Sequence, residues 1–230
     1  MPQATAGRAD RAAIRQNILS ILQATAASYA EHDDPDSDLR DASEYLINVN
    51  LAQGLTETFP ILRYGLEHHA SAFDETARSE IDARVAVGKD MARFDIVLLN
   101  KSNNAPRCII EVKRGIKIIN DAMRIIAMAA LAFGRPRWRH GYVVTILQRP
   151  ELEAHRIVQE LSAEIQALRA TASDSLPEHQ EVKVTAELRH IGASRIKPDS
   201  TQIYGVVFHV ALVDRLLPET EVDDDIQSIA

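Results

Sequence analysis

The chain of 230 residues is 46% hydrophobic and 26% charged, the balance of a soluble globular protein rather than a disordered or fibrous one. One cysteine, Cys108, excludes an intrachain disulfide, no apolar run approaches the ~18 residues of a membrane helix, and no N-terminal stretch reads as a secretory leader, so a cytoplasmic protein without membrane attachment is expected. The net charge of −7 argues against a generic nucleic-acid coat, yet residues 101–149 hold ten Lys or Arg against two acids, a local +8 that leaves −15 for the rest.

Residues 10–30 place Ile14, Ile18, Ile21 and Leu22 at helical spacing behind a potential N-cap, Asp10. The acid-rich 31–41 stretch is expected to be a mobile loop, because it has six acids and few apolar residues, and it lacks the spacing of a calcium loop. A second helix is predicted from Ala42 to Phe59, stopped before Pro60 and capped by Asp41 or Ser43. Glu44 heads its apolar stripe of Ile47, Leu51 and Leu55, facing either inward or toward the helix dipole. Glu57 lies off that stripe, and the following RYGLEHHASAF, with Glu67 and the adjacent His68 and His69, shows no clear period. Alternation then predicts a strand at 81–87, and two apolar runs follow, RFDIVLLN (93–100) and RCIIEVKR (107–114), which with it make an antiparallel meander. Cys108, inside the last run, reads as a small buried hydrophobe.

Segment 119–133 is apolar round nearly its whole circumference, as in a helix buried in the core or in an oligomer contact. It starts at Asn120 or Asp121, stops at Gly134, and crosses over to the strand GYVVTILQ, which should run parallel to 107–114. Before that strand Arg135, Arg137 and Arg139 surround Trp138, for which core packing is weighed above base stacking. An amphipathic helix at 151–170 and strand-like segments VKVTAELRHI and QIYGVVFHVALV complete the chain before an acidic tail. The predicted organisation is an N-terminal helix and acidic loop (1–41), a main domain (42–215) and the tail (216–230).

Three charges interrupt the apolar strands: Asp95, Glu111 and Lys113. Burying them is costly without a partner or a metal, which makes them candidates for function. Glu111 and Lys113 share a strand face, and a register that turned Asp95 to that face would gather two carboxylates and an ammonium. Oxygen ligands of this kind suit Mg²⁺ or Mn²⁺, and metal-assisted phosphodiester hydrolysis is the chemistry the trio fits. The plainer alternative is an exposed Glu111–Lys113 ion pair at a sheet edge. Arg124, inside the apolar helix, reads equally as a buried partner of Asp121 or as a phosphate ligand.

Phe94-Asp95 followed by Ile110-Glu111-Val112-Lys113, in the element order helix, meander, crossover helix, strand, helix, resembles the PD-(D/E)XK nuclease superfamily over about residues 42–170. The resemblance implies an α/β fold with a restriction-endonuclease-like core, a central mixed β-sheet flanked by helices. It implies a Mg²⁺- or Mn²⁺-dependent nuclease in which Asp95 and Glu111 bind the metal and the Val112 carbonyl completes the protein ligands. Lys113 would assist the attacking water, and Glu44 is the best match to the glutamate that some members add. Phe94 stands where proline is usual, and Asp121 and Arg124 stand where some exonuclease-type members carry glutamine. Arg114, Lys117, Arg135, Arg137 and Arg139 are the expected nucleic-acid contacts, with DNA preferred over RNA. Two other classes remain open, a noncatalytic module of the same fold that binds nucleic acid or protein, and an interaction protein that oligomerises through helix 119–133.

Overall fold

The computed structural model describes residues 9–32, 37–69, 93–131, 140–168, 180–195 and 201–214. Asp10 opens helix α1 (Arg11–His32), its Oδ1 accepting the Ala13 N–H at 2.7 Å, and Ile14, Ile18 and Leu22 form the buried stripe. A short 3₁₀ turn, Leu39–Asp41, leads to α2 (Glu44–Thr58). Of the two caps expected there, Ser43 takes the role by accepting the Leu46 N–H at 3.1 Å, while Asp41 closes the 3₁₀ turn by accepting the Asp38 N–H at 2.9 Å.

Three strands follow in antiparallel order, β1 (Leu62–His69), β2 (Arg93–Asn100) and β3 (Pro106–Lys113). The first of them comes from the segment that showed no period, which is a correction: β2 pairs with 62–69. The strand expected at 81–87 lies outside the described residues. Helix α3 (Ile119–Leu131) then crosses to β4 (His140–Arg149), parallel to β3 as predicted. Helix α4 (Glu151–Ala167) and strands β5 (Gln180–Ala193) and β6 (Gln202–Asp214) complete a mixed sheet in the order β1-β2-β3-β4-β6-β5. The described chain is thus α/β, six strands flanked by four helices.

Alternation along the central strands divides the core in two. Ile110, Val112, Tyr142 and Val144 face α1 and α2, whereas Ile109, Val143 and Leu147 face α3 and α4. The apolar residues of α3 from Ala122 through Ala129 that face this second layer are buried within the chain, so its hydrophobicity has an intramolecular explanation. The helix lies so close to β4 that a Cβ on Gly141 would stand 2.9 Å from both the Ile109 carbonyl and an Ile125 methyl. Beneath α1, His140 and His209 are buried beside Tyr142, with His140 Nδ1 and His209 Nε2 unpartnered among the described residues.

Two polar fastenings hold the layers. Asp38, expected within a mobile loop, is buried: Oδ2 accepts from Gln148 Nε2 and Ser194 Oγ, both at 2.9 Å, and Oδ1 from the Arg195 N–H at 2.9 Å. At the β5 edge, the side-chain amide of Gln166 on α4 donates to the Val182 carbonyl and accepts the Val184 N–H at 3.1 Å. No helix among the described residues is long and apolar enough to cross a membrane.

Candidate active site

Glu111 and Lys113 leave β3 on the α3 face, and the register that pairs Ile96 with Ile110 sets Asp95 opposite Glu111. A local break in the sheet decides where the Asp95 carboxylate goes. Neighbouring Glu67 on β1 is left-handed, with φ of 51°, and the Glu67–Asp95 step is missing between the paired Leu66–Ile96 and His68–Phe94. Across the same break Phe94 packs into the α3 layer, although alternation from Ile96 and Leu98 would place it in the other. The carboxylate turns into the plane of the sheet, and Oδ2 accepts the Val112 N–H at 2.7 Å. A strand residue presents N–H and C=O to the same side, so the Val112 carbonyl also points toward Asp95.

Glu111 is fully buried on an interior strand, which overturns the alternative of an exposed edge ion pair. Its Oε1 accepts from Arg124 Nη2 at 2.5 Å, and its Oε2 has no hydrogen-bond partner among the described residues. The same Nη2 donates to the Arg93 carbonyl, Nη1 lies 3.6 Å from Asp121 Oδ1, and the guanidinium carbon sits 5.5 Å from the centroid of the Phe94 ring. Arg124 is therefore a buried partner of Glu111 as well as of Asp121, and its burial removes it from the phosphate-binding surface.

Burial pushes the Glu111 carboxyl well above the usual carboxylate range; Arg124 opposes the shift, while Asp95 and Asp121 add to it. Asp121 is raised to about 6, first by burial, against the pull of Lys113 and Arg124. For Lys113 burial acts downward, but Asp121, Asp95, Glu44 and Glu111 outweigh it and raise the ammonium. Lys113 is consequently a firmly protonated cation amid four carboxylates.

Glu44 stands at the first turn of α2 and faces the end of β3. Its Oε2 lies 3.6 Å from Lys113 Nζ, with the two side chains 36% and 32% exposed, so solvent screens the pair. Oε1 accepts the Arg114 N–H at 3.3 Å. Glu44 thus contacts Lys113 and Arg114, and Glu111 and Asp95 are held by other groups. Arg114 reaches back to the Ala42 carbonyl at 3.0 Å, and Lys117 is exposed. The turn between them is fixed by buried Thr145, whose Oγ1 donates to the Gly115 carbonyl at 2.6 Å and accepts its N–H at 3.2 Å; Gly115 itself has φ of 112°, where a side chain would be strained. Thr145 pairs with Lys113 across the parallel ladder. A hydroxyl amid the apolar VVTIL of β4 was its only sequence signal, and its target emerges only with the pairing.

Arg135, Arg137, Arg139 and Trp138 lie outside the described residues. Among the described cations of the basic segment, Arg107 starts β3 and donates to the Ala9 carbonyl, about 20 Å along the strand from Lys113. Arg149 pairs with Glu153 at 3.1 Å. The described cations of the segment are thus divided between the two ends of β3; Lys113, Arg114 and Lys117 mark the candidate site. Glu57 and Glu67 are exposed, the latter 3.7 Å from Arg93.

Among the described residues no group of three or more His, Cys, Asp or Glu side chains is gathered closely enough to hold a metal ion alone. The donor set fits a hard divalent cation in a different way: two carboxylates, each with an oxygen lacking a hydrogen bond among the described residues, beside a backbone carbonyl, with water for the remaining positions. No family model matches the chain, and the searches of curated proteins and of solved structures gave no match.

Proposed function

We propose that the protein is a divalent-metal-dependent nuclease of the restriction-endonuclease-like type, hydrolysing phosphodiester bonds of DNA. The observation that carries the reading is the convergence of Asp95, Glu111 and Lys113 at the carboxyl end of β3, with Asp95 bonded to the Val112 N–H beside the Val112 carbonyl. Asp95, Glu111 and that carbonyl would hold Mg²⁺ or Mn²⁺. When bound, such an ion supplies Lewis-acid polarisation of a phosphate oxygen and a water of lowered pKa.

The chain's own groups do the rest. Lys113, held protonated by its carboxylate neighbours, orients the attacking water and neutralises charge developing on the phosphate. Glu44 limits the lysine's swing, and Thr145 fixes the turn that follows it. Arg114 and Lys117, at the same strand end, are the backbone-phosphate contacts. Removing either central side chain should abolish cleavage: purified Lys113→Ala and Asp95→Ala are expected to show no Mg²⁺- or Mn²⁺-dependent cutting of DNA or RNA where wild type cuts. Equal activity in all three proteins would eliminate the assignment.

The Arg124–Glu111 pair favours a second reading, a noncatalytic module of the same fold that binds nucleic acid or protein, because the guanidinium sits on the carboxylate a metal would need. Calorimetric titration with Mn²⁺ separates the two, since only the nuclease should bind the ion in a manner lost in Asp95→Ala.

A further inference from the structure

Among the described residues, Glu111 and Arg124 each bury one polar atom without a hydrogen-bond partner, Oε2 of the carboxylate and Nε of the guanidinium. An ion pair serving only the core would be expected to close both, because open buried polar atoms are costly. The same guanidinium already has a second carboxylate within reach, Asp121 Oδ1 at 3.6 Å, one helical turn away and itself buried. Phe94 supplies a ring face beside it at 5.5 Å. Arg124 therefore has two buried acids to choose between, and one of them is the acid that the nuclease reading assigns to a metal.

Resting on that reading, we infer that Arg124 is the site's resident counter-ion: it neutralises Glu111 while no divalent cation is bound and passes to Asp121 when one arrives. A guanidinium on Oε1 and a divalent cation on Oε2 of the same buried carboxylate repel at low dielectric, so entry of the metal drives the guanidinium off Glu111 and toward Asp121. Asp121 is the destination that keeps the displaced charge paired. Arg124 is a positioning residue in this scheme: it holds the buried Glu111 carboxyl in place, and it lowers the affinity for metal by the strength of the contact that must be broken.

The test is Mn²⁺ binding by the full chain, followed by calorimetry. Arg124→Met should bind the ion roughly tenfold tighter than wild type, the change that loss of one charge-assisted contact produces. Asp121→Asn should bind more weakly, because the displaced guanidinium loses its destination. Damage to the fold would weaken binding in both variants, so tighter binding by Arg124→Met distinguishes competition from a structural role. Should Arg124→Met fail to fold, the wild type decides: the Arg124 side-chain NMR signal should move on saturation with Mg²⁺, and a stationary signal overturns the inference. Binding that is lost in Glu111→Gln but equal or weaker in folded Arg124→Met overturns the inference and leaves the nuclease reading standing. Absence of any Glu111-dependent binding in either protein defeats both.

Discussion

Buried His209 carries a charge penalty that shows up in solution. Burial first, and then Arg11, Arg15 and Lys183, lower its pKa from 6.5 to about 3. The unfolded chain takes up a proton near pH 6.5 that the folded chain refuses until about pH 3, so stability is full above that window and is lost as pH falls through it. The slope is up to about 1.4 kcal/mol per pH unit. His209→Phe should move the acid midpoint to lower pH in a circular-dichroism titration; an unchanged midpoint would mean that the ring does not titrate on unfolding. At this scale the sequence was most legible where a charge broke an apolar strand, as Asp95, Glu111 and Lys113 do. Arg124 was ambiguous because a helix period says which face a side chain takes but not which of two carboxylates it meets. Asp38 was missed for the opposite reason: an acid among acids reads as solvated, and only the folded chain brings Gln148, Ser194 and the Arg195 amide to it.

Among the elements, the turn carrying Asp38 fastens the stretch between α1 and α2 to β4 and to the end of β5. Asp38→Ala strands those donors and should cost about 2–4 kcal/mol in urea denaturation, well beyond the ~1 kcal/mol expected for removing the Ser43 cap. A loss below that of Ser43→Ala would show that the turn is not a fastening. The crossover helix and its parallel strand were readable because residues 115–140, with the helical segment 119–133 inside them, separate two apolar runs by enough chain for such a connection. Strand β1 was not, since the alternation of Leu62, Tyr64 and Leu66 with Arg63, Gly65 and Glu67 is brief and runs into two adjacent histidines. Its extended form follows from pairing with β2, and its one left-handed residue, Glu67, is the cost of the break at Asp95.

At the scale of the molecule, two helical layers enclose the sheet and the candidate chemistry sits where the parallel strands β3 and β4 end, near the first turn of α2. Strand direction separates cations that lie close in the chain: Arg107 and Lys113 mark opposite ends of β3. The far side of the sheet carries a consequence of another kind. Val182 and Val184 turn their outward amide and carbonyl toward whatever lies beside β5, and Gln166 answers them as a neighbouring strand would, one donor for one acceptor. A single side chain thus impersonates a short piece of the next strand and occupies two of the outward groups a recruit would need. Gln166→Ala reopens two rungs, and sedimentation should register self-association by strand addition in the variant at concentrations where wild type shows none.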